Sequence, residues 1–268
     1  MFRDMTLGQY YPAESVIHKL DPRVKLVATF VYILSLFFIG SVTGYLLAAL
    51  FLLSVIALSR VPIGFMVRGL RAIVILMVVA ALFNVFLTPG EVIFSWRMFS
   101  VTKEGCFIAA KMVVRLTLLI MGSSVMTLTT TPANLTDGLE KLLGPLRKIR
   151  VPVHEMAMMM SIALRFIPIL VEETDRIMKA QIARGADFES GNLIRRAKSL
   201  IPLLIPLFVS AFRRANDLAM AMEARCYRGG AGRTKMKPLV YSRRDRIAYL
   251  ILALYPALLV AIGYFHFR

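Results

Sequence analysis

Apolar residues in this chain are gathered into long runs that are separated by short polar or basic segments. Each run approaches the roughly 20 apolar residues that an α-helix needs to cross the hydrocarbon core of a bilayer. The pattern therefore predicts an all-α, polytopic membrane protein with about five transmembrane helices. The five runs are residues 26–40, 45–58, 72–87, 107–128 and 247–265.

The basic residues indicate which way these helices cross the membrane. Three arginines follow the second run and four basic residues follow the fourth, whereas the turn at residues 41–43 has no charge. Loops rich in Lys and Arg stay on the cytoplasmic side. We therefore predict a cytoplasmic N-terminus, an external loop at residues 88–106 and an external C-terminus. The basic residues are Arg60, Arg68, Arg71, Lys141, Arg147, Lys148 and Arg150.

The region between the fourth and fifth runs has a different pattern. By the charge rule it is cytoplasmic, yet it contains two long, apolar helical patterns at residues 153–184 and 192–225, each about 50 Å long at 1.5 Å per residue. Pro168 interrupts the first pattern, and Pro202 and Pro206 interrupt the second, so both helices are predicted to be bent or broken. The predicted domains are a four-span membrane domain (1–130), a region of two long cytoplasmic-side helices (131–246) and a C-terminal transmembrane helix (247–268).

Composition supports the assignment to a membrane. Of the 268 residues, 58% are hydrophobic and 18% are charged, which is more apolar surface than a soluble core of this size can bury. The net charge of +17 is also typical of nucleic-acid-binding proteins, but the basic residues stand in blocks beside the apolar runs, without interleaved aromatic residues. Anionic lipid headgroups explain this placement better, so we expect contact with the lipid bilayer and none with nucleic acid.

Both long patterns end in the same short motif, Ala-x-x-Ala-Arg followed by a small residue. Small alanines around one guanidinium can enter a narrow groove and bind a carboxylate, which would make each motif a docking site. Alternatively, the arginine favours a helix C-terminus through the helix dipole, and the small residue ends the helix. The candidate docking residues are Ala183, Arg184 and Gly185 in the first motif and Ala224, Arg225 and Cys226 in the second.

Motifs for catalysis, metal binding or nucleotide binding are incomplete or missing from the sequence. His154 and Glu155 begin an HExxH zinc motif, but Met158 stands where the second histidine is needed. Cys106 and Cys226 lack CxxC spacing, and no GxxxxGK[ST] phosphate-binding loop occurs. We therefore expect no catalytic residue, no metal site and no cofactor, so that any energy must come from partner proteins.

Several motifs together resemble the transmembrane coupling component, or T component, of energy-coupling-factor transporters, a branch of the ATP-binding-cassette importers. The resemblance covers nearly the whole chain. Cys226 departs from the family pattern, in which glycine is usual at that position. The resemblance is carried by residues 8–10, 21–25, 115–116, 129–132, 145–147 and 164–168 and by the two arginine motifs.

This resemblance implies a non-catalytic subunit of a vitamin or micronutrient importer in the bacterial cytoplasmic membrane. In that family the two long helices are coupling helices, and each arginine motif docks on one of two cytoplasmic ABC-type ATPase subunits. A separate membrane-embedded substrate-binding subunit, the S subunit, captures the nutrient. ATP hydrolysis would then take place on the partner subunits.

The apolar parts of the two long helices are the predicted contact surface for the S subunit. They are apolar on more than one face, so lipid, this chain or a partner must cover them. Methionines can repack against different partners, although they can equally be filler. The alternative is that these segments pack only on each other and on lipid. The candidate contact residues are Met156, Met159, Met160, Leu164, Leu204 and Leu207.

Two other classes of function compete with the coupling subunit. A stand-alone secondary transporter needs polar residues and broken helices near the membrane midplane, and the predicted spans supply little beyond Asn84 and Arg115. An intramembrane enzyme needs a paired set of catalytic groups in the spans, which the sequence does not contain. Arg115 is predicted to face other helices, whereas Lys111 could extend to the outer interface.

Overall fold

A computed structural model of the chain describes residues 10–71, 73–96, 99–188, 192, 194, 198–230, 234, 236 and 238–266. Its regular structure is mostly helical, which confirms the predicted all-α class. The elements in chain order are α1 (Pro22–Phe38), α2 (Val42–Ser59), α3 (Ile63–Arg71), α4 (Val74–Leu87), β1 (Val92–Trp96), β2 (Phe99–Thr102), α5 (Lys103–Thr129), α6 (Pro132–Leu142), a 3₁₀ helix (Gly144–Ile149), α7 (Val153–Ala183), α8 (Ile201–Ala224) and α9 (Arg243–His266).

The chain forms two compact units. The bundle unit comprises residues 8–141 and 239–268, and the helix-pair unit comprises residues 142–238. The helix-pair unit therefore interrupts the sequence of the bundle unit. It lies inside the predicted region 131–246, whose boundaries as a domain stay a prediction.

Helix starts in the bundle unit follow from local capping chemistry. Asp21 accepts a hydrogen bond from the Arg23 N–H at the start of α1, where Pro22 takes a first-turn position that needs no N–H donor. Ser41 caps α2 and Thr102 caps α5 in the same way, each accepting from a backbone N–H three residues later. These side chains satisfy donors that the helices leave unpaired at their first turns.

The core of the bundle unit lies among α1, α2, α5 and α9. Leu36 and Leu52 are buried with Leu118, and the Tyr32 ring lies near the ring of Tyr255 from α9, at 6.1 Å between centroids. Apolar side chains on the outer faces are exposed, for example Phe38 and Leu46. An apolar exterior around an apolar core is the pattern of a bundle that has lipid as its solvent.

Polar contacts define the two ends of the bundle unit. At the end that we call the clasp end, the Asp21 N–H donates to Asp245 Oδ1 at 2.9 Å, and Lys25 Nζ donates to the Thr129 carbonyl at 2.8 Å. The starts of α1 and α9 and the end of α5 therefore lie together. At the far end, Lys111 Nζ donates to the carbonyl of Gly40, in the turn between α1 and α2.

Length and apolar composition confirm a multi-pass membrane protein. In the described residues, α2, α5, α7 and α9 are long and apolar enough to cross a membrane, and α3 and α4 form a fifth candidate that is bent by 59°. With 17 residues, α1 is slightly shorter. At 1.5 Å per residue it still covers about 26 Å of the roughly 30 Å hydrocarbon core.

Three local features differ from the sequence analysis. The second long helix begins at Ile201 and not near residue 192, because Pro202 fits the first turn of a helix but not its interior. Of the predicted bend or break at Pro168, a break does not occur, because α7 continues from Val153 to Ala183. The predicted external loop contains an antiparallel strand pair that joins Val92 to Thr102 and Trp96 to Phe99.

Candidate docking sites on the helix-pair unit

The two arginine motifs have the same backbone structure. After α7, the Ala186 N–H donates to the Gln181 carbonyl at 3.0 Å, and the Gly185 N–H donates to the Ile182 carbonyl at 2.9 Å. Residues 222–227 repeat both bonds after α8, at 3.0 and 2.8 Å. This pair of bonds is the Schellman motif, which satisfies the last carbonyls of a helix. The two motifs therefore end their helices in the same way.

The small residue of each motif takes the left-handed conformation that this helix ending requires. Gly185 has φ +86° and Cys226 has φ +55°. Glycine adopts this conformation without a steric penalty, whereas a cysteine meets one because of its Cβ. This requirement explains why a small residue follows each arginine, and it gives Cys226 the same structural role as Gly185.

Arg184 and Arg225 occupy equivalent C-cap positions and are exposed, as are Ala183 and Ala224. A cation at a helix C-terminus is favoured by the helix dipole. The alternative explanation, that each arginine only stabilises the end of its own helix, therefore also fits this geometry. An exposed guanidinium beside a short alanine side chain is also accessible to a carboxylate of another protein. We call the two groups, residues 183–185 and 224–226, the first tip and the second tip.

Contacts within the helix-pair unit show that α7 and α8 run antiparallel. Gln181 Nε2 donates to the Pro202 carbonyl at 3.3 Å, and Arg214 pairs with Glu173 at 2.9 Å. Beyond α8, Gly230 lies so close to the start of α7 that a Cβ there would collide with the ring of His154. The first tip thus lies near the start of α8 and the second at its end, about 35 Å apart along the helix.

The predicted contact residues for the S subunit differ in exposure and position. Met156, Met159, Met160 and Leu204 are exposed, whereas Leu164 and Leu207 are half-buried. Because α7 and α8 are antiparallel, the methionines lie near the second tip and the two leucines of α8 lie nearer the first tip. The structure therefore does not bring the six residues together into one patch.

An aromatic strip on α8 was not among the candidate contact residues predicted from the sequence. Phe208 and Phe212 are 63% and 64% exposed and lie one turn apart, with Leu204 one turn before them. Together with neighbouring residues of α8 they line a groove of about 480 Å³. The i, i+4 spacing of these large side chains was the available signal, since such residues share a helix face.

Comparison with known proteins shows which family the chain resembles. Residues 13–236 match the cobalt transport protein family, CbiQ. The chain belongs to this family. It is 57% identical over 252 residues to a protein of Clostridium kluyveri, covering 93% of each chain, and 52% identical over 267 residues to one of Ruminiclostridium cellulolyticum, covering 100% of each. A Bacillus subtilis protein is 46% identical over 260 residues, covering 97% of this chain and 98% of its own.

These three relatives are named energy-coupling factor transporter transmembrane protein EcfT. The family resemblance predicted from the motifs is therefore confirmed, and this CbiQ-family chain is a membrane subunit of a transporter. Its matched residues include both tips and all of α7 and α8.

Polar residues in the membrane helices of this CbiQ-family chain have partners within the bundle unit. Arg115 Nε donates to the Tyr45 hydroxyl at 2.9 Å, and its guanidinium also donates to the carbonyl of Ile39 at 3.4 Å. Asn84 Nδ2 donates to the carbonyl of Ala80 at 2.9 Å. The prediction that Arg115 faces other helices is confirmed, and its contacts hold the turn between α1 and α2.

The side chains His154 and Glu155 do not form part of a larger ligand cluster in the structure. Among the described residues, no group of three or more His, Cys, Asp or Glu side chains could hold a metal ion. The His154 ring instead packs beside the backbone of Gly230, after α8. This contact joins the two ends of the helix-pair unit.

Proposed function

We propose that this chain is the transmembrane scaffold of an energy-coupling-factor importer for a vitamin or another micronutrient. Two cytoplasmic ABC-type ATPase subunits bind the two tips, and a separate membrane-embedded S subunit captures the nutrient. The chain itself catalyses no reaction. It transmits the movement of the ATPases to the S subunit through α7 and α8.

The observation that carries this proposal is the duplication of the tips. Two helix ends share one sequence motif, one capping geometry and one exposed arginine, and they lie at opposite ends of α8. A single binding partner would need only one such end. Two equivalent ends about 35 Å apart suit a pair of similar subunits that bind side by side.

The connectivity of the bundle unit supports a cytoplasmic position for α7 and α8. The chain leaves the clasp end at Thr129 and returns there at Asp245, because both residues contact the start of α1. The intervening segment must therefore cross the membrane an even number of times. Among the described helices, α7 is long and apolar enough to span a membrane, but α8 is not. The simplest arrangement is therefore one in which neither α7 nor α8 crosses the membrane.

Charge supports the same orientation. Basic residues gather at the clasp end, where Lys19, Arg60 and Arg244 line one cavity. Because basic residues remain in the cytoplasm, this end and the N-terminus are cytoplasmic. The tips then lie on the side of the membrane where ATP is available.

The S subunit is proposed to bind the exposed apolar surfaces of the helix-pair unit. The aromatic strip of α8 and the methionines of α7 present large apolar side chains that the described residues leave uncovered. Exposed apolar surface of this extent indicates a binding partner or lipid. Because each surface lies beside a tip, a displacement of either ATPase would reach the S subunit over a short distance.

Charge reversal at the tips tests the proposal. Arg184→Glu and Arg225→Glu should each weaken attachment of an ATPase, because each places a carboxylate where a cation is expected to meet one. If the ion pair is desolvated on docking, its loss costs about 3–5 kcal/mol. Co-purification of the ATPases with the tagged chain from its native membrane, together with ATP-driven uptake, measures both effects.

Lys179→Glu is the matched control for charge reversal. Lys179 is exposed on α7, one turn before the first tip, and its replacement changes the net charge equally. ATPase attachment should be retained in this variant. Normal attachment and normal uptake in the Arg184→Glu/Arg225→Glu double variant would refute the coupling role.

A stand-alone secondary transporter remains the second candidate function, because α7 has the length and composition of a further span. It is less well supported. The polar groups that could form a midplane site, Arg115 and Asn84, are hydrogen-bonded to neighbouring groups of the bundle unit. Uptake driven by an ion gradient in the absence of any ATPase would favour this alternative.

A further inference from the structure

A basic cavity lies at the clasp end of the bundle unit, and none of its lining residues belongs to either tip. It has a volume of about 600 Å³ and is enclosed by the segment before α1, the end of α2 and the start of α9. Three cations and one carboxylate line it, namely Lys19, Arg60, Arg244 and Glu14. Lys19 and Glu14 pair at 3.2 Å, so the two guanidinium groups provide the net positive charge.

The first wall of this cavity is held by side-chain hydrogen bonds. Ser15 Oγ and the His18 ring are 2.7 Å apart, and the other ring nitrogen of His18 is 3.0 Å from the Tyr11 carbonyl, which fixes the turn that carries Lys19. Burial is the largest influence on His18 and lowers the pKa of its ring, with a further lowering by the charge of Lys25. The first wall is therefore ordered, and its cation Lys19 is balanced by Glu14.

The second wall contains a residue with a strained backbone conformation. Arg60 follows the last residue of α2 and has φ +57°, a conformation that glycine adopts more easily than arginine. Because this conformation costs free energy in an arginine, its presence indicates a function for the side chain. Here the residue with this conformation is an arginine that lines the cavity.

The third wall is fixed by a buried carboxylate. Asp245, 2% exposed, accepts hydrogen bonds from the backbone N–H groups of Asp21 and Ser242. Arg244 is the neighbouring residue and lines the cavity from the start of α9. The two arginines are therefore contributed by separate elements of the fold, the end of α2 and the start of α9.

We propose that this cavity binds the phosphate of an anionic phospholipid headgroup in the leaflet at the clasp end. Guanidinium groups bind phosphate with charge-assisted hydrogen bonds, and basic pockets between membrane helices are suited to acidic lipids. Val16, Ala57 and Leu58 give the cavity an apolar side as well. Because the cavity lies where α2 ends and α9 begins, acyl chains can follow those helices into the membrane. A free phosphate ion would use only the charged side.

Native mass spectrometry of the full-length chain in detergent tests the site. Phosphatidylglycerol is added to the protein and compared with phosphatidylcholine, which has no net charge. We expect retention of phosphatidylglycerol over phosphatidylcholine. Arg60→Gly and Arg244→Gln should each lower that retention about five-fold, the loss expected for one basic residue near an acidic lipid.

Two variants distinguish a loss of lipid binding from a loss of folding and from a change in net charge. Arg60→Gly removes the guanidinium but favours the observed backbone, so this variant should bind less lipid while unfolding at the same or a higher temperature. Arg243→Gln is the matched control, since Arg243 is exposed next to Arg244 but does not line the cavity. Retention in this control should be close to that of the unchanged chain.

Three results would overturn the proposal. An equal loss in Arg243→Gln would show that only the net charge matters. Equal retention of phosphatidylcholine would show that the phosphate is recognised without regard to lipid charge. Displacement of phosphatidylglycerol by excess inorganic phosphate would show that a free anion, and not a lipid, is the ligand. None of these results depends on the ATPases or on the two tips.

Discussion

Cys226 and Gly185 occupy equivalent positions after the two arginines, yet only one of them is suited to its backbone. The motif alone predicted that a small residue ends each helix, and the structure shows why, since both take positive φ values. The sequence could not predict a left-handed cysteine, because cysteine has no local preference for that conformation. The Schellman bonds formed by Cys226 and Tyr227 hold it there.

Replacing Cys226 with glycine should therefore stabilise the helix-pair unit. The substitution removes a Cβ from a left-handed position, and we expect a gain of about 1 kcal/mol in the free energy of unfolding. Thermal unfolding of the purified chain in detergent measures the effect. Cys226→Ser serves as the control and should change stability little, whereas a loss of stability in Cys226→Gly would contradict the assigned backbone.

At the scale of elements, close helix packing depends on Gly122 of α5. A Cβ at this position would lie 2.6 Å from Cε1 of Tyr32 on α1, so the ring would have to move. Gly122→Ala should destabilise the bundle unit by about 1–3 kcal/mol, the usual effect of overpacking a core. Gly64→Ala in α3 has open space around its Cβ and should cause no loss. Equal unfolding temperatures for both variants would refute the packing argument.

The exposed apolar surfaces of α7 and α8 give a second prediction at this scale. Met159→Gln and Leu204→Gln should each loosen the S subunit while both ATPases stay attached, because each removes apolar contact area without altering a tip. Met220→Gln is the control and should retain both partners, since Met220 is similarly exposed but belongs neither to the aromatic strip nor to the methionines of α7. Co-purification measures both partners. Loss of the ATPases with retention of the S subunit would reverse the assignment.

Helices were predictable from the sequence to the extent that apolar runs and prolines determine them. The runs identified α1, α2, α4, α5 and α9 but not the shorter helices α3 and α6. Pro202 explains where α8 begins. The antiparallel contact of Gln181 with Pro202 could not be predicted, because helix pairing depends on side chains that are distant in sequence. For the same reason the aromatic strip at Phe208 and Phe212 was recognised only once the exposed face was known.

At the scale of the whole molecule, the membrane orientation can be tested with cysteines that the chain already contains. Cys106 and Cys226 are both exposed, and the first is predicted to be external and the second cytoplasmic. In intact cells an impermeant maleimide should label the Cys226→Ser variant but not the Cys106→Ser variant. Permeabilised cells supply the control, since both variants should then react.

A third position makes the orientation test independent of docking at the second tip. Lys198→Cys, in a chain without the two native cysteines, should react only after permeabilisation, because the region around it is predicted to be cytoplasmic. An ATPase bound at the second tip could shield Cys226, whereas Lys198 precedes the start of α8, at the opposite end of that helix. Strong labelling of Lys198→Cys in intact cells would overturn the predicted topology.

The hydrogen bond between Asp21 and Asp245 joins residues that are 224 positions apart in the chain. A ribosome that adds about 5–20 residues per second delivers the second residue roughly 10–45 s after the first. During that interval α1 is in the membrane without its partner α9, while the helix-pair unit is being synthesised. Closure of the bundle is thus a late event in biosynthesis. Chains that end before Asp245 lack the carboxylate that accepts the hydrogen bond from Asp21. Their clasp end stays open, and this open end distinguishes an unfinished subunit for quality-control proteases.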